Sequence, residues 1–311
     1  MRRSGDWRRR GLRSPGSPWS FPRAWTDMAH ESPLPERAAE ILDAWGLSPD
    51  GPLLSGEAGI VVPVRRTDGL AAVVKLQQPG PEVDAAVLGL ARWDGRGIVR
   101  LLASAPDRGA MLLERLDAER SLDAMDDDDE ATRIVGSLLA RLHRVDPPAG
   151  LPRLEAVVSQ MLDDATEAGT LLTREDRRRF DRWRRLVADV AATPGSRFLH
   201  WDLHFGNVLC AEREPWLAID PEPLVGDAGF DLWPALDSGW SRDPGTVDAA
   251  RIVRRRFDIL TEMLHLDRAR AARWTTARLL QNTLWDIEDG EPAIAPAATV
   301  LDDALRSAGL A

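Results

Sequence analysis

Residues 198–231 read FLHWDLHFGNVLCAEREPWLAIDPEPLVGDAGFD. A His-x-Asp, His200 to Asp202, is followed five positions later by Asn207, and thirteen positions after that by Asp220 at the end of an apolar run. Phosphoryl transfer uses this set of parts. One carboxylate accepts a hydroxyl proton, while an amide oxygen and a second carboxylate hold magnesium against the nucleotide phosphates. Asp202 stands where the base belongs, and Asn207 and Asp220 where the metal ligands belong. The apolar pieces 198–199, 208–209 and 216–219 read as short strands that hold these polar side chains on rigid backbone. A lone His-x-Asp would be an ordinary turn; the spaced set carries the reading.

The stretch resembles the catalytic core of the aminoglycoside phosphotransferases, a branch of the protein-kinase-like fold. LAIDPEPLVGDAGFDLWP most resembles the branch of streptomycin-type 6-phosphotransferases and hydroxyurea phosphotransferases, and the likeness covers about residues 53–290. It implies an α+β bilobal protein-kinase-like fold, with a small β-containing N-lobe and a larger, mostly α-helical C-lobe. It also implies ATP and Mg2+ as cofactors. One departure is visible: many aminoglycoside kinases have Gly between the His and the Asp, where this chain has Trp201. A large indole beside the base is expected to narrow the acceptor site.

Of the 40 basic residues only one is a lysine, Lys75. A lysine is a compact point charge, and an arginine fork does not replace it where space is tight. Lys75 ends AAVVKL, a strand-like run whose alternation puts Ala71, Val73 and Lys75 on one face, which suits a flat purine. The resemblance gives Lys75 the nucleotide's α and β phosphates. It also implies an acid on the next helix to pair with that lysine, for which Glu82 and Asp84 are candidates; both also suit the helix dipole. Gly56 and Gly59 are placed for a phosphate-covering turn or a plain one. The connection between lobes would present the backbone around Glu114 and Leu116 to the adenine edge.

With 311 residues and 44% apolar content the chain is long enough for two lobes and a substantial core. The formal charge of −10 argues against nucleic acid as a partner. It suits a cationic small-molecule acceptor. A lone cysteine, Cys210, rules out an intramolecular disulfide or cysteine-zinc framework and is expected to be a buried thiol. No stretch approaches the ~20 apolar residues of a membrane span, so a cytoplasmic protein is expected, a monomer or weak dimer.

Residues 1–27, rich in Arg, Gly, Ser and Pro, are expected to be a disordered tail, and an upstream start before Met28 is one source for it. The resemblance implies that residues 28–117 form the nucleotide-binding lobe and 118–311 the catalytic and substrate lobe. Helices are expected over 34–45, 82–93, a stretch around 134–142 ended by Pro147-Pro148, 153–168, 175–190, 230–238, 246–264, 269–288 and 297–307. Strands are expected over 59–64, 70–76, 98–104 and 110–114. His200 is expected to hydrogen-bond the loop backbone and Asp231 to brace it. Glu222, Trp201, Trp285 and Asp286 are candidates for the acceptor side, the last two as a surface for a cation.

The expected activity is ATP-dependent phosphorylation of a hydroxyl on a small molecule, an aminoglycoside of streptomycin type or hydroxyurea, as in antibiotic resistance. The alternatives are a kinase of an unrelated metabolite or protein, and a non-catalytic kinase-like binding module. No Ala-Pro-Glu motif follows Asp220, which counts against a protein substrate.

Overall fold

The computed structural model describes residues 34–55, 59–239 and 248–309. The tail 1–27, Gly56 and the first positions of the helix expected at 246 lie outside the described residues. Helix α1 (Leu34–Ala44) and two short strands, β1 (Ser48–Pro49) and β2 (Leu54–Ser55), lead into the expected hairpin. There β3 (Ile60–Arg65) pairs antiparallel with β4 (Ala71–Leu76). Gly69 takes the left-handed turn position at φ 84°. A Cβ on Gly59 would lie 2.0 Å from the Leu76 carbonyl oxygen, so the strand edge approaches too closely for any side chain. Helix α2 (Pro81–Trp93), β5 (Leu101–Ala105) and β6 (Ala110–Glu114) complete this half. The sheet runs β1-β3-β4-β6-β5 with β2 paired to β3. Its buried face, including Val62, Val74 and Leu112, packs with Ile41 of α1 into a small core.

Helix α2 belongs to a different, larger core. Trp93 is fully buried and stacks on Phe198 with ring centroids 3.8 Å apart, and its indole N–H donates to the Leu142 carbonyl. The expected strand 98–104 begins only at Leu101, because Ile98 and Val99 are taken by the other half of the chain. Val99 N donates to Ala218 O, and Ala218 N to Gly97 O.

After β7 (Asp117–Ser121) the chain is mainly helical: α3 (Asp128–Leu142), α4 (Leu154–Ala168) and α5 (Arg174–Ala191). The side chains of Asp127 and Thr173 cap the first turns of α3 and α5. Helix α3 stops at Leu142, before Pro147-Pro148. His143 ends it by turning its ring to Asp231, 2.9 Å away. Four short strands follow: β8 (Arg197–Leu199), β9 (Val208–Cys210), β10 (Trp216–Ala218) and β11 (Leu224–Gly226). They form two small sheets, β10-β9-β7 and β11-β8. The finish is α6 (Trp233–Asp237), α7 (Ala249–Met263), α8 (Arg268–Glu288) and α9 (Pro296–Ser307). Helix α8 is buried along much of its length, polar residues included, and contributes Trp274, Ala277, Leu280 and Leu284 to the large core. The fold is mixed α+β, a sheet-bearing N-terminal region joined to a helical C-terminal one. Cys210, expected to be buried, is half-exposed at the end of β9.

Candidate active site

The turn between β8 and β9 carries His200, Trp201, Asp202 and Asn207, and its shape is set by one carboxylate. Asp231 is fully buried and accepts from the backbone N–H groups of His200 and Trp201, and its Oδ2 also meets His143 Nε2. Burial alone would push the Asp231 carboxyl up, but these bonds, with His143 foremost, hold it below its ordinary range. His200 is equally buried. Its Nε2 donates to the Ile219 carbonyl at 3.0 Å, and its Nδ1 accepts from Asp202 N at 3.4 Å. The ring thus ties the turn to the strand leading to Asp220. Desolvation lowers its pKa to about 4, so it is neutral near pH 7.

This bracing holds an unfavourable backbone. Trp201 sits at φ +67°, a left-handed conformation that glycine adopts freely and a bulky residue does not. The indole expected to narrow the acceptor site is only 8% exposed and packs against Phe230, 6.2 Å between ring centroids. Asp202 projects from the same turn with 30% of its side chain exposed. The surrounding protein is still dense enough that desolvation raises its pKa, opposed by His204 and Arg278. Asn207 Nδ2 donates to the Asp202 carbonyl at 2.9 Å and to its Oδ2 at 3.3 Å. With the amide nitrogen committed to two acceptors, Asn207 Oδ1 is the atom left for a cation.

Asp220 follows β10 at φ +53°, again left-handed. Its Oδ1 lies 2.8 Å from Lys75 Nζ, so the single lysine and the second motif carboxylate meet across the junction of the two halves. Burial works to raise the Asp220 pKa, but Lys75 reverses the balance and leaves it below the usual range. Neither Glu82 nor Asp84 takes the lysine among the ion pairs of the described residues. Asp84 is exposed on the first turn of α2. Glu82 is half-buried, raised by desolvation, and hydrogen-bonded to its own backbone N–H. The ion pair of Lys75 among the described residues is with Asp220. The Asn and Asp oxygens are hard ligands suited to magnesium, which keeps water and phosphate in its remaining positions. No cluster of three or more His, Cys, Asp or Glu that could cage a metal occurs among the described residues.

Glu222 enters the same cleft, its backbone N–H bonded to the His200 carbonyl at 3.0 Å. Desolvation and the neighbouring Asp202 push its carboxyl up to about 8. The Glu114 side chain faces away from this chemistry, into Arg213, with Nη2 to Oε1 at 2.7 Å. Arg213 also binds Glu214 and the Ile98 carbonyl, clamping β6 to the β9–β10 turn. Leu116 packs half-buried against the large core.

Trp285 and Asp286, expected to form a cation surface, lie near the end of α8. The Trp285 ring is occupied from inside: the Arg278 guanidinium carbon lies 5.8 Å from its centroid. Trp201, Phe230 and Trp233 surround the same guanidinium at 5.6, 5.4 and 5.4 Å. Asp286 is half-buried. Neither Arg278 nor His143 stands out in the sequence; each looks like an ordinary helical residue until the fold brings it to the catalytic turn.

The family described as aminoglycoside/hydroxyurea antibiotic resistance kinase matches residues 44–290. A streptomycin 6-kinase of Streptomyces griseus is 55% identical over 284 residues, 91% of each chain. A hydroxyurea phosphotransferase of Kitasatospora aureofaciens is 48% identical over 264 residues, 84% of this chain and 75% of its own. Among solved structures, the macrolide 2'-phosphotransferase MphH of Brachybacterium faecium superposes with a TM-score of 0.59 at 21% identity, over 87% of this chain and 98% of its own. An aminoglycoside phosphotransferase of Streptomyces rimosus, solved with ADP and streptomycin, gives 0.51 at 17% identity, over 79% and 98%. These structural likenesses speak to the fold.

Proposed function

The chain belongs to the aminoglycoside/hydroxyurea antibiotic resistance kinases, and on that premise we propose that it transfers the γ-phosphate of ATP to a hydroxyl of streptomycin, with Asp202 as the base. The observation that carries the reading is Asn207 donating to both the carbonyl and the carboxylate of Asp202, opposite the Lys75–Asp220 pair. Asp202 orients the acceptor hydroxyl and takes its proton as its oxygen bonds to the γ-phosphorus and the bond from that phosphorus to the β–γ bridging oxygen breaks, releasing ADP. Asn207 Oδ1 and the Asp220 carboxylate are the groups that would hold Mg2+, which when bound neutralises phosphate charge. Lys75 adds a positive charge beside the phosphates. Glu222, with its raised pKa, offers a second carboxyl to the acceptor. Catalysis then rests on positioning and on charge placed in advance.

No helix among the described residues is long and apolar enough to cross a membrane, and the reading puts the enzyme in the cytoplasm with its ATP. The test is incubation of purified chain with Mg-ATP and streptomycin, with the product read by mass spectrometry. A phosphorylated streptomycin supports the reading; ADP formed without it, or none at all, overturns it. Hydroxyurea is the second reading, favoured by the 48% identical relative, and is assayed in parallel.

A further inference from the structure

Arg278 lies mid-way along α8 and is 3% exposed. A guanidinium is costly to bury without a carboxylate partner. Its one hydrogen bond among those of the described residues joins Nη1 to Gln281 Oε1 at 3.1 Å, and its Nε has no partner there. Four aromatic rings enclose it, each centroid 5.4 to 5.8 Å from the guanidinium carbon. Such contacts repay part of the desolvation. Three of the rings come from the segment that builds the site: Trp201 from the catalytic turn, Phe230 beside Asp231, and Trp233 from α6. The fourth, Trp285, lies two turns further along α8.

Trp201 connects this box to the chemistry. It is the residue before Asp202 and holds a left-handed φ of +67° that a large side chain adopts only under constraint. Asp231 fixes its amide, which leaves the direction of the indole to be set by what packs on it. That packing is the flat guanidinium of Arg278 on one side and Phe230 on another. We infer that Arg278 is a positioning residue: it clamps the Trp201 ring, and through the strained backbone of Trp201 it aims the Asp202 carboxylate at the acceptor. The charge of Arg278 also lies within electrostatic reach of Asp202, Glu222 and Asp231, so the clamp places a cation behind a cluster of acids. This inference rests on Asp202 being the base.

A double-substitution cycle tests it. Arg278→Met keeps bulk in the box and removes the flat cation. Trp201→Gly removes the ring and lets the backbone hold the left-handed angle without a clamp. In the otherwise native chain, Arg278→Met is expected to lower kcat about 10²-fold, the scale of a small misplacement of a catalytic group. The KM for Mg-ATP should stay within about threefold. In the Trp201→Gly background, which should retain measurable turnover, the same substitution is expected to cost less than about tenfold, because neighbouring sites that act through one another are not additive. Equal losses in both backgrounds, a loss of nucleotide affinity, or a Trp201→Gly chain with no turnover would each overturn the inference. Where Arg278→Met does not fold, Arg278→Lys is read through the same cycle. If the native chain leaves streptomycin untouched, the functional reading fails by itself. The cycle is then read from urea midpoints, where Arg278→Met must lower the midpoint more in the Trp201 chain than in the Trp201→Gly background. Equal shifts there overturn it.

Discussion

Asp202 and Asp220 are both aspartates of one cleft, yet their surroundings assign them opposite electrostatic roles. Desolvation raises Asp202, which favours a carboxylate that accepts a proton. At Asp220 the Lys75 ammonium outweighs burial and favours the ionised form, as the proposed Mg2+ ligand requires. Replacing Asp202 by Asn keeps the volume and removes the proposed base. Turnover is expected to fall ~10²–10⁴-fold, while calorimetry shows Mg-ATP binding almost unchanged, since Lys75, Asn207 and Asp220 remain. Asp220→Asn should instead weaken Mg-ATP itself and leave Lys75 without its anion. Loss of nucleotide binding in Asp202→Asn with retention in Asp220→Asn would reverse the two assignments. Lys75 is tested separately. Its side chain, 12% exposed, is enclosed between β4 and the Asp220 turn. A wider guanidinium fork does not fit a place shaped for an ammonium. Lys75→Arg is therefore expected to lower turnover by about tenfold or more, ~1.4 kcal/mol in the barrier, without a matching drop in melting temperature. Native turnover in that variant would remove the lysine from the site.

At the scale of elements, the catalytic turn is held between α3, β8 and the β10 end by two buried groups, Asp231 and His200. His200 makes this bracing sensitive to pH. Its ordinary pKa of 6.5 falls to about 4 in the fold, so between those values the unfolded chain binds a proton that the folded chain refuses. Stability from this group is complete above about pH 6.5 and is lost as pH falls toward 4, up to roughly 3 kcal/mol at ~1.4 kcal/mol per pKa unit. Glu222 acts in the other direction: its carboxyl, raised from 4.5 to about 8, makes folding less favourable as pH rises through that range. Urea midpoints of the native chain and His200→Gln, compared from pH 7 to 4, should therefore converge as the pH drops; a constant gap would mean that the ring stays unstrained on protonation. The turn was legible in the sequence because its parts are local. Asp202, Asn207 and Asp220 sit at fixed offsets in one stretch, and the family resemblance that this stretch carries implied the fold class. Long-range partners were not legible. Nothing in the first turn of α2 shows that Lys75 will reach Asp220 in preference to Glu82 or Asp84. Arg278 reads as one arginine of many on a helix until the rings of Trp201, Phe230, Trp233 and Trp285 close round it. The short strand β7, DAERS, is exposed along its length and lacks the alternation that announces a strand. The end of α3 is set by the tertiary bonds of His143 and Trp93, which the downstream prolines conceal.

Over the whole molecule there are two cores of unequal size, and α2, which follows the sheet strand that carries Lys75, is rooted in the larger one. The tail 1–27 has no patterned apolar face with which to join either core, and a chain beginning at Met28 should keep both cooperative melting and turnover; loss of the melting transition would show that the tail packs. The net charge of −10 is a property of the same scale. Its consequence for the reaction depends on the acceptor. A cationic acceptor such as streptomycin would approach the carboxylates of Asp202 and Asp220, with Lys75 as the countercharge to the second. Attraction between exposed charges reaches ~8–10 Å at physiological salt and only ~3 Å at 1 M. Raising the salt should therefore increase the KM for streptomycin about two- to fivefold, the ~0.5–1 kcal/mol of an exposed ion pair, while kcat changes little because the reacting groups are already in contact. A neutral acceptor such as hydroxyurea has no charge to screen, so its KM should not follow the salt. The KM for Mg-ATP, measured in the same series, separates screening at the phosphates from screening at the acceptor. A streptomycin KM that stays flat across the range would mean that hydrogen bonds and shape, and not the acidic balance of the chain, draw the acceptor in.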